Sequence, residues 1–79
     1  MNPLSELPSG TRGLVFSLPQ GHGLAKRLIA LGLTPGAEVE VLQNRGQGPL
    51  IVEVHGARLA LGRGQARQVA VKPMDPSSE

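Results

Sequence analysis

Apolar and polar residues alternate along several short segments of the chain, and this alternation predicts β-strands. In the clearest case, residues 37–42, Val39 and Val41 share one face and two glutamates share the other. The pattern recurs over 50–55, where three apolar residues share a face. Glycine and proline separate such segments, which predicts turns between them. The predicted strands are 13–18, 37–42, 50–55, 58–61 and 68–72.

One segment has helical spacing instead. Leucines at 24, 28 and 31 recur at i, i+4 and i+7, which predicts a short helix with these three side chains facing inward. Gly32 suits the left-handed residue that ends a helix, and Leu33 suits the apolar contact that follows such an end. A second, loose helical turn is predicted over 62–67, where glycines on both sides of Arg63 favour a mobile loop.

These elements predict a mostly β domain, with one short helix inserted after the first strand. Five strands in so short a chain leave exposed edges unless the sheet curls, so we expect a small, partly open barrel. Residues 1–73 are expected to form this single domain and residues 74–79 a disordered C-terminal tail. The sequence shows neither a secretory signal nor an apolar stretch long enough to cross a membrane, so a cytoplasmic location is expected.

Composition excludes several function classes. The 79 residues include no cysteine, which rules out disulfides and thiolate metal sites. The net charge of +2 is weak for a nucleic-acid protein, and Phe16 is the only aromatic residue on which a base could stack. His22 and His55 have no serine and aspartate arranged with them as a nucleophilic triad. We therefore expect a binding protein and not an enzyme.

Three segments, taken in order, resemble a known family. The first is 7–15, with glycines at 10 and 13. The second is 27–41, with Leu-Gly-Leu followed by Pro-Gly and an alternating strand. The third is 48–61, which runs from Gly-Pro through a second alternating strand to Leu-Ala-Leu. Together they resemble the FeoA family, small cytoplasmic accessory proteins of bacterial ferrous iron uptake. The resemblance covers roughly residues 4–72.

The resemblance implies a small Src-homology-3-like five-stranded barrel without catalytic activity. It also implies a partner, a FeoB-type membrane transporter of ferrous iron with a cytoplasmic GTPase domain. The protein would be associated with the membrane only through that partner. It is expected to be a monomer or a weak homodimer, and it is expected to need no cofactor. Gly62 departs from the family, which often has a charged residue there. The alternative functions are a metal-responsive regulator and a nucleic-acid-binding barrel.

The predicted partner-binding surface is the loop before the helix together with the exposed side of the helix. An apolar side chain beside two basic ones suits a patch that steers and docks a protein. The alternative is that the basic residues are simply solvated and the isoleucine belongs to the core. The predicted residues are Gln20, His22, Lys26, Arg27 and Ile29.

A weak metal site is the second candidate. Glu53 and His55 lie two apart on one strand, so both side chains can face one ion, and this pair suits zinc or ferrous iron. Two ligands do not complete a site; the predicted third is His22, and the alternatives are a cross-strand Glu38 or Glu40 or a ligand from a neighbouring molecule. The alternative is an ordinary solvated strand face, on which any metal binding would be adventitious.

Overall fold

The computed structural model describes residues 1–19 and 23–74 of the chain. Six strands form one antiparallel sheet: β1 (Asn2–Pro3), β2 (Arg12–Ser17), β3 (Glu38–Gln43), β4 (Leu50–Val54), β5 (Ala57–Leu61) and β6 (Ala70–Met74). A single 3-10 turn follows β1 at Leu4–Glu6. Over the described ranges, two helices complete the fold, α1 (Gly23–Ala30) and α2 (Arg63–Arg67).

The order of strands across the sheet is β1-β6-β2-β3-β4-β5. All five predicted strands are present, with ends that move by one or two residues. The two-residue strand β1 was not predicted, because its pairing with β6 is long-range and leaves no pattern in so short a segment. β6 reaches Met74, which pairs with Arg12, so the sheet extends one residue into the predicted tail. Residues 75–79 lie outside the described residues.

The sheet curls around an aliphatic core. The valines predicted to face inward at 39, 41, 52, 54, 69 and 71 are all at most 2% exposed. Because the chain has one aromatic residue, leucines supply the bulk of the packing. Leu4 and Leu7 from the N-terminal segment are buried with them, and so are Leu28, Leu33, Leu50 and Leu61. No pairing joins β5 to β1 among the described residues, so the barrel is partly open, as predicted.

Helix α1 confirms the predicted helix but corrects one inward residue. Leu28 is 1% exposed, whereas Leu31 is 46% exposed. The helix ends at Ala30, and Gly32 adopts a φ of 97°, which turns the chain back. The Leu33 N–H then donates to the Leu28 carbonyl at 2.9 Å. This hydrogen bond is the one expected of the predicted Schellman stop, and Leu33 is fully buried whereas Leu31 is not.

Helix α2 confirms the predicted helical turn at 63–67, and its first residue is tied to the rest of the molecule. The Arg63 guanidinium donates to the Gly48 carbonyl at 3.1 Å, the Ser5 carbonyl at 3.2 Å and Asn44 Oδ1 at 2.7 Å. Gln65 Oε1 accepts the Gly62 N–H at 3.1 Å and caps the helix. These contacts argue against the mobility expected from the flanking glycines.

Candidate functional site

A shallow open depression lies where the chain enters β3 and leaves β4. Its lining includes both residues of the predicted metal pair, Glu53 and His55. Cross-strand pairing places Glu40 directly opposite Glu53, and Glu38 lies two residues before Glu40 on the same face of β3. The complete lining is Gly36, Ala37, Glu38, Glu40, Glu53 and His55.

His55 reaches the depression by a route that strand alternation does not describe. β4 ends at Val54, and His55 has a φ of 52°, the only positive φ of a non-glycine residue among those described. With Gly56 at a φ of 81° it forms the two-residue turn that joins β4 to β5. The His55 ring lies against the backbone that ends α1: a Cβ placed on Gly32 would be 3.0 Å from His55 Cδ2. Its imidazole therefore packs on the Gly32 turn.

The described residues do not assemble a metal centre. Over 1–19 and 23–74, no three histidine, aspartate or glutamate side chains are close enough together to hold one ion. Glu38 is engaged by Arg12, whose guanidinium lies 3.1 Å from its carboxylate. His22, the predicted third ligand, lies outside the described residues. Metal binding by Glu53 and His55 therefore stays a prediction.

Carboxylates and guanidinium groups form a row across the outer face of the sheet. The register places Arg12 opposite Glu40, Glu40 opposite Glu53, and Glu53 opposite Arg58. Like charges directly opposite one another destabilise a sheet, so the Glu40–Glu53 pair is unfavourable unless a cation compensates it. Among the described residues the sole ion pair is Arg12–Glu38, between half-exposed side chains, which contributes little.

The predicted partner-binding surface is resolved in part. Lys26 and Arg27 are exposed, and Ile29 is 48% exposed, so this isoleucine does not belong to the core. Leu31 adds a second exposed apolar side chain, although helical spacing predicts that it faces inward. Gln20 and His22, the loop residues of the predicted surface, lie outside the described residues. We call Lys26, Arg27, Ile29 and Leu31 the helix patch.

A second exposed apolar pair was missed. Phe16 is 57% exposed and Leu14 is 37% exposed, both on the outer face of β2. Phe16 lies in a bulge, where the register between β2 and β6 shifts after Val15. The signal was present in the sequence, because an inward Val15 places its two neighbours outward.

Neither helix is long and apolar enough to cross a membrane, over the part of the chain that the structure describes. Their lengths are eight and five residues.

Comparisons with known proteins place the chain in one family. The FeoA domain family matches residues 2–73. "Putative Fe(2+) transport protein A" of Methanocaldococcus jannaschii is 30% identical over all of this chain and 95% of its own length. A crystal structure of an iron uptake regulatory protein (FeoA) superposes with a TM-score of 0.87 at 42% identity, over 91% of this chain and 96% of that one.

FeoA of Stenotrophomonas maltophilia, solved in complex with zinc, superposes with a TM-score of 0.77 at 38% identity, over 87% of each chain. That protein is described as a prokaryotic SH3 domain protein, and the curled antiparallel sheet with one eight-residue helix found here has the same fold. The match of the FeoA domain over nearly the whole length, together with this shared fold, shows that the chain belongs to the FeoA family.

Proposed function

We propose that this protein is a non-enzymatic cytoplasmic accessory protein of ferrous iron uptake that binds a FeoB-type transporter and modulates its activity or its GTPase domain. Membership of the FeoA family supports the process. The helix patch is the observation that carries the mode of action, because it combines exposed apolar side chains with two exposed cations.

The helix patch leaves apolar side chains exposed to water. Single exposed apolar residues are common on protein surfaces and need no explanation. Here, however, two apolar side chains at the end of α1, Ile29 and Leu31, are each nearly half exposed. Residues two positions apart in a helix do not face each other, so these two flank the exposed basic pair Lys26 and Arg27 on either side. Covering both with a partner would remove their apolar area from water, which is favourable. Lys26 and Arg27 would steer an acidic partner surface toward the same spot.

Modulation sets a thermodynamic condition on this binding. A bound accessory protein shifts its transporter between two states only if it binds one state more tightly than the other. By linkage, if the bound accessory protein raises the transporter's affinity for a nucleotide by some factor, that nucleotide raises the transporter's affinity for the accessory protein by the same factor. The proposal therefore predicts different affinities for the GTP-analogue and GDP forms of the transporter's cytoplasmic domain.

Titration calorimetry with that cytoplasmic domain tests the patch directly. The double variant Ile29→Ser, Leu31→Ser should weaken binding at least about tenfold, since truncating a buried interface residue that matters costs over 1 kcal/mol. The matched control, Leu14→Ser with Phe16→Ser, removes the other exposed apolar pair and should bind as the wild type does. Equal losses from both pairs would show that the helix patch is not the docking surface.

A charge test uses two equally charged variants. Lys26→Glu with Arg27→Glu should slow association, whereas Arg45→Glu with Arg67→Glu makes the same change in net charge at exposed positions outside the patch. Identical association rates for the two double variants would refute a steering role for Lys26 and Arg27.

A weak zinc or ferrous iron site at Glu53 and His55 is the second candidate. It is favoured because both residues line one depression with two further glutamates, and because the Stenotrophomonas maltophilia relative was solved with zinc. Calorimetric zinc titration of the wild type, His55→Ala and Glu6→Ala tests it. The first substitution should abolish the binding heat and the second should leave it unchanged. Zinc binding that persists in His55→Ala would assign the metal elsewhere.

A further inference from the structure

Among residues 1–19 and 23–74, strand β5 is an edge with no neighbour on its outer side. It ends the strand order of the sheet, and its five residues pair only with β4 among the described residues. The opposite edge, β1, is two residues long and too short to accept a strand. Ala57, Arg58 and Ala60 are exposed, so no other described segment covers β5 along most of its length.

The turn before β5 determines which backbone groups face outward. In a two-residue hairpin the flanking residues, here Val54 and Ala57, form a hydrogen-bonded pair, and such pairs then recur at every second residue. Leu59 and Leu61 therefore bond to β4. The N–H and C=O groups of Arg58 and Ala60 point away from the sheet, and neither residue's backbone bonds to another described segment.

Natural edge strands usually carry features that block pairing with another strand. Such features are proline, lysine, a bulge, or a very short length. β5 has none of these: its register with β4 is unbroken over five residues, and its sequence is Ala-Arg-Leu-Ala-Leu. Its one charge, Arg58, lies opposite Glu53 of the same chain, which reduces its repulsive effect. The edge is therefore open to a further strand.

We propose that a second copy of this chain occupies the β5 edge, antiparallel, with the two-fold axis at Leu59. Leu59 is the middle residue of β5, so this register alone pairs all five residues. In this register Arg58 of each copy forms a hydrogen-bonded pair with Ala60 of the other copy. Every outward N–H and C=O group of the strand then gains a partner.

Charge favours the same register. An axis at Arg58 would set two guanidinium groups directly opposite each other, which is destabilising. With the axis at Leu59, each arginine faces an alanine, whose small side chain leaves room for the arginine's aliphatic stem. On the inner face, the half-buried Leu59 of each copy meets its equivalent, so the two cores extend toward one another. The product is a continuous sheet through both copies.

In this register, a charge introduced at Ala60 should change the dissociation constant of the dimer. Ala60→Lys sets a lysine opposite Arg58 of the second copy, whereas Ala60→Glu sets a carboxylate there. Each effect occurs twice by symmetry, so the dimer dissociation constants of the two variants should differ about tenfold, with Ala60→Glu the tighter. Gln47→Lys and Gln47→Glu change the net charge equally at an exposed loop residue and should not differ from one another.

Sedimentation velocity on the full chain measures these dissociation constants. Concentrations up to about 1 mM are needed, because a single strand pair buries less area than a stable interface and the dimer is therefore weak. Ala60→Pro should give a monomer with unchanged circular dichroism, since it removes an N–H that β4 does not use. The triple variant Glu53→Gln, Arg58→Glu, Ala60→Lys reverses the cross-copy pair without setting two carboxylates opposite each other in one chain, and it should recover the dimer that Ala60→Lys loses.

Amide hydrogen exchange locates the contact independently of mass. The Arg58 and Ala60 amides should exchange more slowly as protein concentration rises, while the Gly64 amide should not change. A wild-type chain that is monomeric at every concentration would overturn the proposal. So would a dimer equally stable in Ala60→Lys and Ala60→Glu. Protection of these amides only when another protein is added would assign the edge to that protein.

Discussion

Arg63 holds together three parts of the molecule that are distant in sequence. Its guanidinium donates to carbonyls of the N-terminal turn and of the β3–β4 loop, and to the Asn44 side chain that closes β3. Asn44 itself donates to the Ser5 and Leu7 carbonyls at 3.0 and 2.8 Å. Arg63→Ala removes the one side chain that links α2 to this network, so the free energy of unfolding should fall.

The loss of unfolding free energy in Arg63→Ala depends on which hydrogen-bond donors each acceptor retains. A hydrogen bond from a charged group contributes about 1.5–3 kcal/mol to stability. The Ser5 carbonyl retains Asn44 as a donor, Asn44 Oδ1 retains the Gly46 N–H at 3.0 Å, and the exposed Gly48 carbonyl turns to water. The three bonds therefore do not add in full, and we expect a loss of about 2 kcal/mol. For a domain of this size, that lowers Tm by roughly 10 °C.

Urea unfolding followed by far-ultraviolet circular dichroism is the suitable assay, because the chain has no tryptophan or tyrosine for fluorescence. Arg67→Ala is the matched control: the same residue type in the same helix, exposed and without a side-chain hydrogen bond among the described residues. It should change stability by less than about 0.5 kcal/mol. Arg63→Lys should lie between the two, since one ammonium group does not span three acceptors.

Unfolding of Arg63→Ala and Arg67→Ala at the same urea concentration would contradict a stabilising role for the Arg63 hydrogen bonds. That result would mean that water replaces all three hydrogen bonds at no cost, and α2 would then be held by the burial of Ala66 alone. A changed slope of the unfolding curve in Arg63→Ala would instead indicate a change in compactness.

Three further predictions concern stability, and the first two compare paired substitutions. Gly32→Ala should destabilise the fold by about 1–2 kcal/mol, because φ is 97° and the added Cβ would lie 3.0 Å from His55 Cδ2. Gly23→Ala adds its Cβ in open space and should not destabilise the fold, and thermal unfolding compares the two variants. Leu50→Ala, at a fully buried position, should lower the free energy of unfolding by about 2–5 kcal/mol, whereas Leu14→Ala, on the surface, should lower it by under about 1 kcal/mol. Equal losses in urea unfolding would contradict the assigned core. Arg12→Ala should lower stability by under about 1 kcal/mol, with a loss that shrinks further in high salt, because its ion pair with Glu38 is half exposed.

Local pattern was enough for most of the fold. Alternation placed β3 and β4 with the correct inward valines, and Gly32 with Leu33 predicted the end of α1. These features depend on residues close in sequence, so the chain itself displays them. Long-range features were less accessible. Asn2 pairs with Val71, 69 residues away, and Arg63 bonds to Ser5, 58 residues away; no local periodicity records either contact.

The candidate sites show the same division. That Ile29 lies at the edge of the helical stripe was readable from spacing, and the structure finds it exposed. The exposure of Leu31 was not predictable from spacing, because helical periodicity aligns it with Leu24 and Leu28 and only the packing at the end of α1 leaves it exposed. His55 was predicted as a strand residue. Its positive φ belongs to the turn, which depends on pairing between Val54 and Ala57.

The position of β6 constrains how the domain is made. This last strand lies inside the sheet, between β1 and β2, and Val69 accepts the Leu4 N–H at 2.8 Å. During synthesis, β1 and the outer flank of β2 therefore have no neighbour until residues 70–74 have left the ribosome. Until then the leucines of the N-terminal segment have an incomplete core to enter, so the nascent domain passes through a stage with exposed apolar surface. Truncation before residue 70 should leave the chain in that aggregation-prone state.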